Sequence, residues 1–134
     1  MNKYENLKIT IIGAGSVSFG PATVADIMLS DLLNTLDIEI CLMDIDDRAL
    51  EVSQAFALKA NEVAGRNTKI WSTTDLRKSL QGADFVITAI EKERYHYWSQ
   101  DFHIPRRYGF RQVYGENGGP GSMFHTLRNI EPML

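Results

Sequence analysis

Lys8-Ile9-Thr10-Ile11-Ile12-Gly13-Ala14-Gly15-Ser16 is a short apolar strand that runs into a glycine turn. Roughly 28 residues beyond Ser16, Asp44 stands at the end of a second apolar run. A strand ending in Gly-x-Gly turns tightly, lets its backbone approach a pyrophosphate, and points the N–H groups of the next helix at phosphate oxygens. An acid at the tip of the following strand accepts hydrogen bonds from an adenosine ribose and repels a 2'-phosphate. Gly13, Gly15, Ser16 and Asp44 are therefore candidate contacts to a dinucleotide, and the acid favours NAD over NADP.

Periodicity extends this reading along the chain. It predicts a strand over 8–12 and a helix starting near Gly20-Pro21, with Val24, Ile27, Met28 and Leu32 on its buried face. A strand over 37–43 leads through Asp44 to a helix capped by Asp46 or Asp47. Leu50, Phe56, Leu58, Ala60 and Val63 supply that helix's apolar positions, and Gly65 ends it. A strand over 69–72, a helix over about 75–81 stopped by Gly82, and an apolar strand over 83–90 complete the series. This alternation spells an α/β, Rossmann-like doubly wound parallel sheet with strand order 3-2-1-4. Thr88 and Ala89, at the carboxyl end of the fourth strand, join the candidate cofactor contacts because open sheets hold ligands there.

From Glu91 onward the character changes. Arg94-Tyr95-His96-Tyr97-Trp98 is aromatic and polar, Arg106-Arg107 is basic, and residues 115 to 121 are rich in glycine, which reads as active-site loop. Phe124, Leu127, Ile130 and Leu134 predict a helix over 123–134 with Ser122 as its cap. The expected division is a dinucleotide-binding half over 1–90, then loops and the start of a helix over 91–134. A helix that runs to the last residue without a glycine cap gives the expectation of a fragment and an incomplete sheet.

Composition narrows the class. The 134 residues, 44% hydrophobic and 23% charged, amount to one domain. A net charge of -3 gives no electrostatic reason to expect nucleic acid or an anionic membrane. No apolar stretch approaches the roughly 20 residues of a membrane span and no signal-peptide core is present, so the expected location is cytoplasmic. Cys41, the single cysteine, excludes an internal disulfide and reads as a buried strand residue. His96, His103 and His125 fit no compact metal-ligand spacing.

Four stretches together resemble glycoside hydrolase family 4, the NAD- and divalent-metal-dependent glycosidases that include alpha-galactosidases and alpha-glucosidases. They are residues 8–16, Leu42-Met43-Asp44-Ile45-Asp46, Gly82-Ala83-Asp84-Phe85-Val86-Ile87, and residues 101–134. In the last, Asp101-Phe102-His103-Ile104-Pro105 and Gly115-Glu116-Asn117-Gly118-Gly119-Pro120-Gly121 resemble the family's D-x-x-I-P and G-x-x-x-G-P-G elements, and Leu127-Arg128-Asn129-Ile130 its L-R-x-I segment. These C-terminal motifs are far more specific than the glycine turn.

The resemblance implies a glycosidase that departs from the two-carboxylate mechanism. NAD oxidises the sugar at C3, the C2 proton becomes acidic, the C1 substituent is eliminated, water adds, and the hydride returns. It also implies a divalent metal, expected to be manganese, held by a cysteine and a histidine, and a tyrosine base. All three belong to later sequence, so no catalytic or metal-binding residue is assigned here and the 134 residues alone are expected to be inactive. At full length it implies a homo-oligomer acting on a small-molecule glycoside. Trp98, Glu116 and Asn117 are the candidate substrate contacts. Trp98 occupies the position, three before the aspartate of D-x-x-I-P, where members acting on 6-phosphosugars typically carry arginine. An indole suits stacking on a sugar face, so the expected substrate is unphosphorylated, with Arg94 as the competing cation.

This chain departs from the pattern at three further positions. Ser18 stands at the third position of Gly-x-Gly-x-x-Gly, Asn117 where threonine is common, and Ser122 where many members have a second glycine. Two other readings stay open on the residues alone. One is a dehydrogenase of the lactate and malate type, which shares the strand order but has no use for the D-x-x-I-P and G-P-G pair. The other is a noncatalytic NAD-binding module.

Overall fold

The apolar runs assemble as a parallel sheet. In the computed structural model, which describes residues 6–115 and 117–133, β1 (Asn6–Ile12), β2 (Asp37–Met43), β3 (Lys69–Thr73) and β4 (Phe85–Thr88) lie in the order β3-β2-β1-β4. That is the expected Rossmann-like half. The described chain falls into two compact units that divide between Ala89 and Ile90.

In the first unit, Leu7, Ile9 and Ile11 of β1 and Ile38, Ile40 and Leu42 of β2 form one core cluster with Val24, Ile27 and Met28 of α1 (Phe19–Leu29) and Leu50 and Ala57 of α2 (Asp47–Val63). Each fully buried aliphatic side chain here, such as Ile11, Ile40 or Leu42, contributes roughly 1.5–3 kcal/mol. Thr10, on the alternate face, donates its hydroxyl to the Ser79 carbonyl of α3 (Leu76–Leu80) at 2.8 Å. Its register partner Cys41 is wholly buried, and burial pushes that thiol up to about 11. Arg66 closes the carboxyl end of α1, donating to the carbonyls of Ile27, Met28 and Leu33.

Several sequence expectations are corrected. Leu32 lies beyond α1 and is exposed, because the helix ends at Leu29 and a 3-10 turn follows. Of the two candidate caps for α2 it is Asp46 that serves, as the reading allowed, accepting from the amides of Arg48 and Ala49. Of the predicted α2 positions only Leu50 is buried. Phe56, Leu58 and Val63 are exposed, while Ser53 and Ala57, three and seven residues after Leu50, face inward. Ser53 reaches the glycine turn, donating to the Ala14 carbonyl, and Ala57 joins the core cluster. β4 is shorter than predicted and exposed along its length, since it pairs only with β1 among the described residues.

The second unit is helical where loops were expected. Residues 94 to 98 open α4 (Arg94–Arg107), entered through Glu93 at φ 49, a left-handed conformation. Pro105 sits in its last turn, where the helix is already ending. α5 (Gly119–Ile130) starts four residues before the predicted boundary at 123, with proline in its first turn, so Ser122 lies inside the helix and is no cap.

Candidate functional site

The glycine turn is fixed from three sides. The Met43 carbonyl accepts the amides of Gly13 and Ala14 at 2.9 and 3.0 Å, tying the turn to the end of β2. Gly13 has φ 83, which a residue with a side chain adopts only with strain. The Gly15 amide donates to Asp44 Oδ2 at 2.8 Å. A Cβ on Gly15 would stand 2.8 Å from both that oxygen and Ala49 Cβ, so absence of a side chain lets Asp44 and α2 close on the turn.

Asp44 is consequently held in place before any ligand arrives. Its second oxygen accepts the Asp46 amide at 3.1 Å, and each oxygen keeps further acceptor capacity for a ribose hydroxyl. Ser16 has a local role as well, accepting the Phe19 amide on its hydroxyl at 3.3 Å. The next two amides, of Val17 and Ser18, make no hydrogen bond among the described residues and precede the amino end of α1. Those are the donors that an anionic group would meet.

The register gathers six predicted residues at one sheet edge. Ile12 pairs with Met43 and with Thr88, so Gly13, Asp44 and Ala89 follow at the same level. Ala89 donates to the Ile12 carbonyl at 2.8 Å. Gly13, Gly15, Ser16, Asp44, Thr88 and Ala89 thus rim the carboxyl ends of β1, β2 and β4, the ligand-binding end of such sheets.

The second unit carries the remaining candidates. Trp98, half-buried, stacks on Phe102 with ring centroids 5.8 Å apart and planes 2° from parallel. The Arg94 guanidinium lies 6.0 Å over the Trp98 ring and is paired with Glu91. Asn117 is exposed and its backbone N–H donates to the Tyr114 carbonyl at 3.3 Å, whereas Glu116 lies outside the described residues. A cavity of about 350 Å³ opens between α4 and α5, with Tyr97, Ile104, Tyr108, Phe124 and Arg128 among its lining; neither Trp98 nor Asn117 lines it. Among the described residues no group of three His, Cys, Asp or Glu side chains could hold a metal ion.

Three residues have structural roles that the sequence reading did not assign. Gly20 takes over the packing duty of the missing third glycine: its Cβ would come 2.2 Å from the Ala14 carbonyl oxygen. Ser53 Oγ donates to that same oxygen at 2.8 Å. Arg128 forks onto the buried Asp101 carboxylate and lies 4.5 Å over the Tyr97 ring, joining α5 to α4. Proline after Gly20, read only as a helix start, was the one signal available for the first of these.

The chain matches the family model for family 4 glycosyl hydrolases over residues 8–134. It is 45% identical to an alpha-glucosidase of Erwinia rhapontici over 128 residues, covering 95% of this chain and 28% of that enzyme. It is 38% identical to an alpha-galactosidase of Bacillus subtilis, covering 95% of this chain and 29% of that enzyme. A 6-phospho-alpha-glucosidase from gut microorganisms, solved in complex with NAD and Mn2+, superposes with a TM-score of 0.78 at 22% identity, over 96% of this chain and 28% of that one. The chain therefore spans under a third of the length of the relatives it matches.

Proposed function

Since the chain belongs to the family 4 glycosyl hydrolases, we propose that it supplies the NAD-holding part of a glycosidase acting on an unphosphorylated glycoside. The observation that carries this is the Asp44 carboxylate, fixed by the Gly15 and Asp46 amides at the rim of the glycine turn. There it would accept the hydroxyls of an adenosine ribose, while the Val17 and Ser18 amides would donate to the phosphates. Thr88 and Ala89 would flank the nucleotide on the β4 side. NAD, when bound, supplies a hydride acceptor for the sugar C3 carbon and a hydride donor that restores it. A manganese-type ion is assigned to the remainder of the full-length enzyme, since among the described residues no group of three His, Cys, Asp or Glu side chains could hold one.

Substrate class rests on the first turns of α4. Trp98 stands as an indole, stacked on Phe102 and with the Arg94 guanidinium over its ring, where a sugar is proposed to pack, and Glu91 pairs with Arg94, the nearby cation that a 6-phosphate would need. The exposed Asn117, with Glu116 beside it in sequence, is assigned to sugar contact. The relative with the NAD and Mn2+ complex acts on a 6-phosphosugar, so this assignment separates the chain from that enzyme.

Calorimetric titration tests the cofactor reading. NAD is expected to bind at least about tenfold more tightly than NADP, because Asp44 opposes the 2'-phosphate. A folded sample that gives no heat with either nucleotide would overturn the reading. For the substrate, full-length enzyme is expected to turn over an unphosphorylated glycoside and to bind its 6-phosphate poorly. The reverse order would sink the unphosphorylated assignment alone.

A further inference from the structure

We propose that Ser53 is a positioning residue for nucleotide binding, acting on Asp44 through the peptide unit between Ala14 and Gly15. That peptide is held at both ends. Its carbonyl oxygen accepts the Ser53 hydroxyl at 2.8 Å, and its N–H donates to Asp44 Oδ2 at 2.8 Å. Because a peptide is planar, fixing the direction of the carbonyl fixes the direction of the N–H opposite. Ser53, on α2 and buried, therefore sets where Asp44 is pulled, although 39 residues separate it from Ala14 in sequence.

Among the described residues the carbonyl has no other side-chain partner. Gly20 brings the α1 backbone so close that a Cβ would stand 2.2 Å from the Ala14 oxygen, and Ala14 itself is fully buried. Without the Ser53 hydroxyl this oxygen would be a buried acceptor with no side-chain donor, a costly state that rotation of the peptide relieves. Rotation would swing the Gly15 N–H off Asp44 and free the carboxylate to turn from the ribose position. A serine on the apolar face of an amphipathic helix, between Leu50 and Ala57, is otherwise unrewarded by packing.

The inference rests on the NAD reading for its functional consequence, and two measurements keep the two apart. The first needs no nucleotide. In Ser53→Ala, hydrogen exchange of the Gly15 amide is expected to accelerate by about tenfold relative to the β2 amides. Unchanged Gly15 protection would overturn the proposal whatever the chain binds. The second is a double-mutant cycle on NAD affinity. Ser53→Ala is expected to weaken NAD by about tenfold in the wild-type background and by less than about twofold beside Asp44→Asn, since its effect passes through that carboxylate. Equal losses in both backgrounds would mark Ser53 as merely structural and overturn the proposal. Absence of NAD binding by the wild type would instead strike the cofactor reading, leaving the exchange result to decide for Ser53. Ala57→Gly, which loosens the same helix face without touching the turn, is expected to lower stability and leave NAD affinity in place.

Discussion

In the sheet unit, Gly20 lets α1 meet the carbonyl oxygen of Ala14; in the helical unit, Gly121 lets α5 meet that of Asp101. A Cβ on either glycine would stand 2.2 Å from the oxygen. Each oxygen also takes a side-chain hydrogen bond, from Ser53 in one case and from Gln112, at 3.2 Å, in the other. What lies beneath differs. The first contact rests on the aliphatic cluster of β1, β2, α1 and α2. Around the second, the buried positions among the described residues are Asp101, Pro105, Gly115, Gly121 and Asn129, with the Arg128 fork on Asp101 in place of a buried aliphatic cluster. One backbone device can thus be supported by apolar burial or by a charge pair, and the two supports respond differently to substitution and to pH.

The largest expected effect is common to both units. Gly20→Ala and Gly121→Ala each set a methyl against backbone oxygen, with no flexible side chain to yield, and should each cost about 4 kcal/mol. Urea denaturation followed by circular dichroism measures it. Gly20→Ala should also abolish NAD binding, because the Ala14 peptide must move. If either variant stayed within about 1 kcal/mol of wild type, the close approach would not be structural and the parallel between the units would fail.

The next effect separates them. Asp101 is almost fully buried, and removing its partner leaves an uncompensated charge, so Arg128→Met should cost about 3 kcal/mol. The loss should be read in faster exchange of α4 and α5 amides, with the amides of β1 and β2 unaltered. Arg128→Lys should recover only part of it, because an ammonium keeps the charge and loses the two-pronged geometry. A neutral result for Arg128→Met would mean that the helical unit, too, is held by apolar contacts.

Much of the sheet unit was legible because β1, β2 and β4 are largely apolar runs with glycine or aspartate at their ends, and strand order follows from right-handed crossovers. The places of Gly13, Gly15 and Asp44 in the fold were readable for the same reason: each sits at a strand end, where the covalent order fixes it. Ser53 and Gly20 were hidden, since their partner is a backbone oxygen that no sequence pattern displays. The α2 face was misread because large apolar residues were taken as buried, whereas the inward positions are Ser53, which reaches the turn, and Ala57, which joins the aliphatic cluster. In the helical unit the error ran the other way. Residues 94 to 107 lack apolar periodicity because their buried contacts are made by Asp101 and Pro105, so a helix looked like loop. Its family motifs were visible as letters, yet their physical work, glycines admitting a helix and an arginine gripping an aspartate, appears only in three dimensions.

The smallest expected effect sharpens the contrast from the sheet side. Glu39 on β2 takes Lys69 Nζ and Trp71 Nε1, each at 2.7 Å. The Lys69 hydrogen bond holds its carboxyl below the usual 4.5; partial burial opposes this and the Trp71 bond adds to it. A depressed folded pKa means stabilisation that is complete above 4.5 and lost as pH falls through the lower folded value. The Lys69 side chain is 70% exposed and that of Glu39 29%, so screening by water keeps the pair below about 1 kcal/mol. Glu39→Gln should therefore cost less than about 1 kcal/mol at neutral pH, and the difference from wild type should shrink as acid protonates the native carboxylate. Urea midpoints of the two proteins across that acid range give the answer. Should Glu39→Gln cost as much as Arg128→Met, charge pairing would be holding the sheet unit as firmly as the helical one, and the aliphatic cluster beneath Gly20 could no longer be the reason the two units differ.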